Sequence, residues 1–251
     1  MEVLTAQLPS GGLGYSFPSV SISPMNFMEI CKYLENVPPE SAPLEKYMYN
    51  LNMLLKEDQK LLDCYVMDVD FLIFFKKLIT VSENLKYSVS AVCPVCGEKI
   101  QRTIDFEKDI HFKAIDPQVM RGARINLGGN VYEVRVPTLT DFMKVFQLYL
   151  TYKKVTDLKM IKTISLIGEF GLSANQIEKD VLEATHSDIT LLMALQELYF
   201  NRVEPVQIQC PTCSKEGKGG VMAVSVEELI TDFFRDLYVN SPINGSKILF
   251  K

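Results

Sequence analysis

The chain has 251 residues, of which 47% are hydrophobic and 23% are charged, and its formal net charge is −5. These values suit a globular protein that buries a substantial core, as one domain or as two small ones. Lys and Arg form no run dense enough to neutralise a series of phosphates, which disfavours direct nucleic-acid binding.

No segment of the sequence indicates a membrane span. The longest apolar run, Cys64–Phe75, is interrupted by Asp68 and Asp70 and is too short to cross a bilayer. The N-terminus lacks the basic region and apolar stretch of a secretory signal. We therefore expect synthesis in the cytosol, where stable disulfides are unusual.

The segment Leu8–Tyr15, LPSGGLGY, contains three glycines within four positions. A glycine-rich phosphate loop needs a helix directly after it, so that amides and the helix dipole converge on the anion. The segment that follows, SFPSVSISP, contains two prolines and suits extended chain, and no Lys-Ser or Lys-Thr pair closes the loop. The sequence therefore predicts a structural turn here.

Three helices are predicted in the next part of the chain, from apolar residues recurring at helical spacing. Asn26 is a candidate N-cap for the first helix, and the third begins with acidic and continues with basic residues, which suits the helix dipole. Their predicted ranges are Asn26–Leu34, Leu44–Lys56 and Asp68–Thr80.

The sequence then repeats this order of elements. The segment Arg124–Pro137, RINLGGNVYEVRVP, predicts a hairpin around GGN. Thr140 or Asp141 is the expected cap of the helix that follows, and Ser173 with Gln176 forms a capping-box pattern. The helices predicted in this part lie within Thr138–Leu150, Leu158–Phe170, Leu172–Thr185, Ser187–Phe200 and Val226–Tyr238.

Four of the six cysteines form two CPxC pairs, Cys93 with Cys96 and Cys210 with Cys213. The two-residue spacing lets both thiolates of a tight turn face one cation. Strand-like sequence flanks both pairs, as in the zinc knuckle, a hairpin with CPxC at its tip. One knuckle supplies two ligands, whereas a closed structural zinc site needs four.

The two pairs are far apart in sequence, since 113 residues separate Cys96 from Cys210. The paired motifs favour one structural zinc ion per chain, bound by all four cysteines. Two interpretations stay open beside it: knuckle-shaped hairpins that share no metal, and a redox-active CxxC pair. Cys31 and Cys64 lie in apolar, helix-like surroundings and are expected to be buried thiols.

An internal duplication would bring the two knuckles together. Cys93 coincides with Cys210 at an offset of 117 residues, and Tyr15 coincides with Tyr132 at the same offset. A two-glycine turn precedes both tyrosines, and smaller insertions are needed between these anchors. Two similar halves related by a pseudo-twofold axis would place their knuckles face to face.

These observations predict an α+β fold that is predominantly helical with short β-hairpins. Its two pseudo-repeated halves, residues 1–120 and 121–251, would be joined by the pair of zinc knuckles. The halves are expected either as two domains or as one compact domain.

The order of these elements resembles the T4-type baseplate hub family of phages, which includes the hub subunit and the related hub assembly protein. CPxCG alone is common among zinc ribbons, so the likeness rests on the order and separation of the motifs. It covers mainly the first 115 residues, and the second knuckle lies outside it. The matching segments are Leu8–Tyr15, Val20–Leu34, Asp68–Thr80, Tyr87–Gly97 and Thr103–Phe106.

The resemblance implies a non-enzymatic component of a contractile-tail baseplate, which acts through contacts with other hub and tail proteins. Such a protein is made in the host cytoplasm and works at the virion tail baseplate, without a membrane, direct nucleic-acid contact or a small-molecule substrate. The only histidines, His111 and His186, have no Cys, Ser or carboxylate at catalytic spacing. The alternatives are a zinc-ribbon nucleic-acid-binding or transcription adaptor, which predicts salt-sensitive binding, and a CxxC redox enzyme.

Overall fold

The structure is a computed structural model that describes residues 4–15, 17–38, 40–81, 86–111, 122–152, 157–167, 176, 179–180, 183–200 and 204–224. The described parts combine helices with short antiparallel sheets of two strands each, which confirms the predicted helical α+β class. No helix within these ranges is long and apolar enough to cross a membrane.

Each sheet in the described ranges is a hairpin, and the register of each is antiparallel. The two knuckle hairpins lie where CPxC and its strand-like flanks predict them, and the GGN turn joins the strands of another hairpin. The pairs are β1 (Leu4–Gln7) with β2 (Ser19–Ile22), β3 (Lys86–Val92) with β4 (Lys99–Asp105), β5 (Ala123–Leu127) with β6 (Asn130–Val134), and β7 (Val206–Gln209) with β8 (Val221–Val224).

Most of the longer helices agree with the apolar periodicity of the sequence, but the helix predicted over Leu158–Phe170 ends at Ser165. Two short helices, over Phe106–Asp109 and Pro211–Lys215, were not predicted, and a 3₁₀ turn over Gln59–Asp63 precedes the third helix. The helices are α1 (Phe27–Asn36), α2 (Pro43–Glu57), α3 (Val66–Val81), α4 (Phe106–Asp109), α5 (Leu139–Tyr152), α6 (Leu158–Ser165), α7 (His186–Phe200) and α8 (Pro211–Lys215).

The predicted helix caps were partly right. Asn26 caps α1 in a reciprocal capping box with Glu29. The cap expected at Thr140 or Asp141 was wrong, because α5 begins two residues earlier and Thr138 exchanges hydrogen bonds with Asp141. The predicted Ser173 cap and the helix Val226–Tyr238 lie outside the described residues.

Helix α3 is the buried centre of the helical part, where α2, α5 and α7 pack around it. Most of its side chains belong to the core, including Val69, Leu72 and Leu78. It nevertheless carries Asp68 and Lys76 as buried charged residues. A buried charge is costly unless it is paired or hydrogen-bonded, so these residues dictate what must pack against α3.

The glycine loop Leu8–Tyr15 closes around the carboxylate of Asp68. The backbone amide of Ser10 donates to Asp68 Oδ1 at 2.9 Å, and the hydroxyl of Tyr15 donates to Asp68 Oδ2 at 2.8 Å. Burial raises the pKa of Asp68 and outweighs the opposing effect of these hydrogen bonds. The anion that this loop binds is therefore a side chain of the protein itself, which agrees with the predicted structural turn.

Two further charged residues of α3 are paired with distant segments. Asp70 accepts a hydrogen bond from Lys162 Nζ of α6 at 2.5 Å, and that ammonium group lies 4.8 Å from the ring centroid of Tyr47. Lys76 pairs with Glu57 at the end of α2 and donates to the carbonyl oxygen of Ser23 at 2.8 Å. Each pair fixes a different part of the chain to α3.

The second glycine turn surrounds another buried carboxylate, that of Asp180. Asp180 accepts hydrogen bonds from the hydroxyl of Tyr132, from Asn130 Nδ2 at 2.7 Å and from Gln176 Nε2 at 2.7 Å. The hydrogen bond from Tyr132 is the main cause that lowers the pKa of Asp180. A side chain at Gly128 would lie 3.2 Å from Asp180 Cα, so the close approach of the turn depends on glycine.

The two predicted halves share one core and are also joined by backbone hydrogen bonds. The amide of Val66 donates to the carbonyl of Pro137 at 2.9 Å, and the amide of Leu139 donates to the carbonyl of Cys64 at 2.7 Å. The rings of Tyr47 and Phe142 also meet across the halves, with their centroids 5.2 Å apart. The cysteine pairs are therefore not alone in joining the halves.

We predict that Tyr15→Phe destabilises the protein by about 1–3 kcal/mol, because it removes a donor from a buried carboxylate and an acceptor from the Tyr65 amide. Urea unfolding measures this difference. Tyr49→Phe is the control, since the Tyr49 side chain is only half-buried on α2. Equal stabilities of the two variants would contradict the role of Tyr15.

Candidate metal centre

The first knuckle is a tight turn between β3 and β4. The amide of Cys93 donates to the carbonyl of Glu98 at 2.9 Å, and the amide of Gly97 donates to the carbonyl of Cys93 at 2.9 Å. Gly97 has a φ of +75°, a conformation that glycine adopts without strain. This turn directs the thiols of Cys93 and Cys96 toward the second knuckle.

The second knuckle is longer than the simple hairpin tip that the sequence predicts. Cys210 precedes the short helix α8, and the amide of Ser214 donates to the Cys210 carbonyl at 2.9 Å. The chain then returns through a glycine-rich segment, and the amide of Cys210 donates to the carbonyl of Gly220 at 2.9 Å. The extra residues lie between Cys213 and β8, so both sulfurs still face the first knuckle.

The structure brings all four predicted cysteines together. Their sulfur atoms all lie within 4.8 Å of one another, with 3.7 Å between Cys93 and Cys213 and 3.6 Å between Cys96 and Cys210. A disulfide would need about 2.05 Å. Four sulfurs at about 2.3 Å from a zinc ion would be about 3.8 Å apart at the corners of a tetrahedron. The donor set and its spacing therefore fit one tetrahedral metal ion.

The thiols differ in how readily they lose a proton. Hydrogen bonds from the backbone amides of Cys96 and Val95 help to lower the pKa of Cys93 to about 7. Burial raises the pKa of Cys213, and the neighbouring thiols raise it further. The amide of Cys213 lowers the pKa of Cys210, but burial and the thiols around it outweigh this effect. A bound cation would favour the deprotonated form of all four thiols, because metal binding releases protons from its ligands.

Access to the cluster is one-sided. Cys93, Cys210 and Cys213 are buried, whereas Cys96 is exposed. The backbone of Gly220 covers the second knuckle so closely that an added Cβ would lie 2.7 Å from Cys213 Cβ. The site can therefore be reached from the side of Cys96.

Arg102 of β4 links the two knuckle hairpins outside the cluster. Its Nη1 donates to the carbonyl of Gln207 on β7 at 2.6 Å, and its Nη2 donates to Asp109 Oδ1 at 3.0 Å. Nearby, the amide of Glu204 donates to the carbonyl of His111 at 2.9 Å. These contacts hold the hairpins side by side, which sets the distance between the two cysteine pairs.

The remaining cysteines and histidines lie apart from this centre. Cys64 is buried as expected, and burial raises its pKa to about 12. The expectation for Cys31 was too strong, because it is only half-buried on α1. His111 and His186 are exposed. Among the described residues, the four knuckle cysteines are the one group of three or more His, Cys, Asp or Glu side chains placed to bind a metal ion.

The geometry favours a metal centre over a redox pair. In each knuckle the short sulfur distances run to the opposite knuckle, from Cys93 to Cys213 and from Cys96 to Cys210. A redox-active CxxC motif needs an accessible thiolate with a partner in its own motif. Mutual proximity of all four sulfur atoms is instead the arrangement that a closed tetrahedral metal site requires.

Comparison of the chain with protein-family models, with curated proteins and with solved structures found no match. The likeness to baseplate hub proteins therefore stays a prediction from the sequence motifs. The metal centre is argued from the geometry of this chain alone.

Sequence reasoning missed Arg102 and Gly220. Gly220 is the last glycine before a strand and follows a CPxC motif, a place where close backbone approach to cysteine is expected. No local pattern marks Arg102, because its partner Gln207 is 105 positions away.

We predict that the purified protein contains about one zinc ion per chain, because a closed site takes four cysteine ligands. Cys93→Ser and Cys210→Ser should each abolish zinc retention, since a closed site with three thiolates is incomplete. Elemental analysis after dialysis against a weak chelator measures this. Cys31→Ser is the matched control and should retain zinc; loss of zinc from that variant as well would contradict the assignment of ligands.

We also predict that Gly220→Ala weakens zinc binding about tenfold or more, in the range known for residues that position metal ligands. The added Cβ would lie 2.7 Å from Cys213 Cβ and 3.3 Å from Cys213 Sγ. Gly219→Ala is the control, because Gly219 also has a positive φ but has open space around it. Chelator competition gives both affinities. Equal losses in the two variants would show that backbone strain, and not contact with Cys213, is responsible.

Proposed function

We propose that this chain is a structural or assembly component of a phage contractile-tail baseplate hub, with one structural zinc ion and no enzymatic activity. The observation that carries the proposal is the contact between Leu8–Tyr15 and Asp68 of α3, the helix that precedes the first knuckle. Three of the five segments that resemble the hub family are thus linked, since the loop contacts α3 and the first knuckle follows α3 along the chain. The contact between the loop and α3 is a physical reason for these segments to occur together and in this order in the sequence.

The donor set of the metal centre supports a structural role. Four thiolates complete the tetrahedral coordination of zinc and leave no position for a substrate or an activated water, as a catalytic zinc site requires. Zinc bound in this way contributes its binding free energy to folding. Here it would fix two hairpins that are otherwise joined by the contacts of Arg102 and the adjoining backbone.

We also propose that the two halves, residues 1–120 and 121–251, arose by internal duplication. Each half contains a two-glycine turn with positive φ, followed by a tyrosine that donates to a buried aspartate. Tyr15 and Tyr132 are equivalent at the offset of 117 residues, as are Cys93 and Cys210. The aspartates are not equivalent. Asp68 lies in α3, the helix before the first knuckle, whereas Asp180 lies ahead of α7, the helix before the second knuckle. Copies that diverged after duplication would show such a difference.

A zinc-ribbon adaptor for nucleic acid is supported less well. Most of the affinity for nucleic acid comes from neutralised phosphates, and this chain has a net charge of −5. Arg102, the arginine nearest to the knuckles in β4, is already paired with Asp109 and the carbonyl of Gln207.

Mixing the zinc-loaded protein with individual baseplate hub and tail proteins, followed by size-exclusion chromatography, tests the proposal. We expect a stable complex with at least one of these proteins, because the function depends on protein contacts. A parallel sample contains single-stranded DNA at low and high salt. Binding to the DNA without binding to any tail protein would overturn the hub proposal and favour the adaptor.

A further inference from the structure

The open side of the metal centre, beside Cys96, carries the acidic side chain of Glu98. Glu98 is exposed and lies two positions after Cys96, the exposed cysteine of the cluster. Its backbone carbonyl accepts the hydrogen bond from the amide of Cys93 that closes the first knuckle. The carboxylate therefore belongs to a residue whose backbone is fixed by the turn.

The Glu98 carboxylate reaches across to the second knuckle. Its Oε2 lies 3.5 Å from Cys210 Sγ, within hydrogen-bond distance of that thiol. A side chain from the first knuckle thus contacts a buried sulfur of the second, beside the exposed Cys96. An ion that approaches the cluster from solvent meets Cys96 and Glu98 before it can contact the three buried sulfurs.

The charges of the loaded centre argue against Glu98 as a permanent stabiliser. A zinc ion with four thiolates has a net charge of −2, so a neighbouring carboxylate is repelled once the site is filled. A hydrated zinc ion, in contrast, carries two positive charges and is attracted. Carboxylate oxygen is also an accepted zinc ligand. The Glu98 carboxylate therefore attracts the arriving zinc ion but destabilises the completed four-thiolate centre.

We propose that Glu98 is a transient loading ligand, which binds the incoming zinc ion through its carboxylate and passes it to Cys210. In this step the hydrated ion exchanges water for the Glu98 oxygen and the Cys96 sulfur. The sulfurs of Cys93, Cys210 and Cys213 then bind, and the carboxylate leaves as Cys210 takes its place. Each thiol that binds releases its proton to solvent. This role rests on the structural zinc site proposed above.

The test is Glu98→Gln, which keeps the shape and removes the charge of the side chain. Stopped-flow mixing of metal-free protein with Co²⁺ follows loading through the absorption of the cobalt–thiolate centre, and chelator competition gives the equilibrium affinity for Zn²⁺. The control is Glu216→Gln on the second knuckle, where Glu216 is exposed and pairs with Lys218 at 2.8 Å. Both variants lose one negative charge near the centre.

We expect Glu98→Gln to slow Co²⁺ uptake about tenfold, at the lower end of the effect of local charge on the association of charged ligands. Its equilibrium affinity for Zn²⁺ should equal or exceed that of the unmodified protein, whereas Glu216→Gln should change uptake much less. A loss of affinity as large as the loss of rate would overturn the proposal, because it would indicate a structural role. Equal slowing in the two variants, or unchanged uptake in Glu98→Gln, would overturn it as well.

The controls separate this proposal from that of the zinc site itself. If the unmodified protein binds neither Co²⁺ nor Zn²⁺, the metal centre is wrong and the loading role falls with it. If the unmodified protein retains zinc and Cys93→Ser does not, the centre stands. The rates of the Glu98 variant then decide the loading role alone.

Discussion

The pairing of buried and partly buried charges on α3 is the constraint on which the arrangement of the other elements depends. Asp68 requires the donors of the glycine loop, Asp70 receives Lys162 from α6, and Lys76 pairs with Glu57 of α2. Removal of Glu57 would leave the buried ammonium group of Lys76 without its ion-pair partner, and breaking a buried ion pair in this way is strongly destabilising. The apolar surface of α3 supplies the driving force for packing, and its charges specify which segments pack where.

The helical core and the metal centre have different tasks. Both halves contribute to one core and are joined near α3 and α5 by backbone hydrogen bonds, such as that from Leu139 to Cys64. Zinc is therefore not needed to hold the halves together there, which refines the expectation that it joins them. An ion bound by the four cysteines would act locally, because the knuckles are β-hairpin ends and two-stranded hairpins are marginally stable alone. Arg102 brings these ends close, and the ion would fix their final separation.

Features with a local signal could be predicted from the sequence, and those that depend on distant contacts could not. CPxC motifs, apolar periodicity and the GGN turn located the hairpins, most helices and the four cysteines. The cap of α5 was misplaced because Thr138, Thr140 and Asp141 are all suitable cap residues. The roles of Asp68 and Asp180 were missed, although charged residues inside an apolar run always need partners. That signal was visible at Asp68, but its partners are 53 and 58 positions away.

The wide separation of the two cysteine pairs has a consequence for the synthesis of the chain. A ribosome-bound chain that has reached residue 200 contains Cys93 and Cys96 but neither of the other two ligands. Two thiolates make an incomplete site, so tight zinc retention begins only when Cys213 has emerged. A chain terminated at residue 200 would include the sequence of every described helix except α8 and would lack two of the four ligands. Zinc content would thus distinguish chains that contain the second knuckle from chains truncated before it.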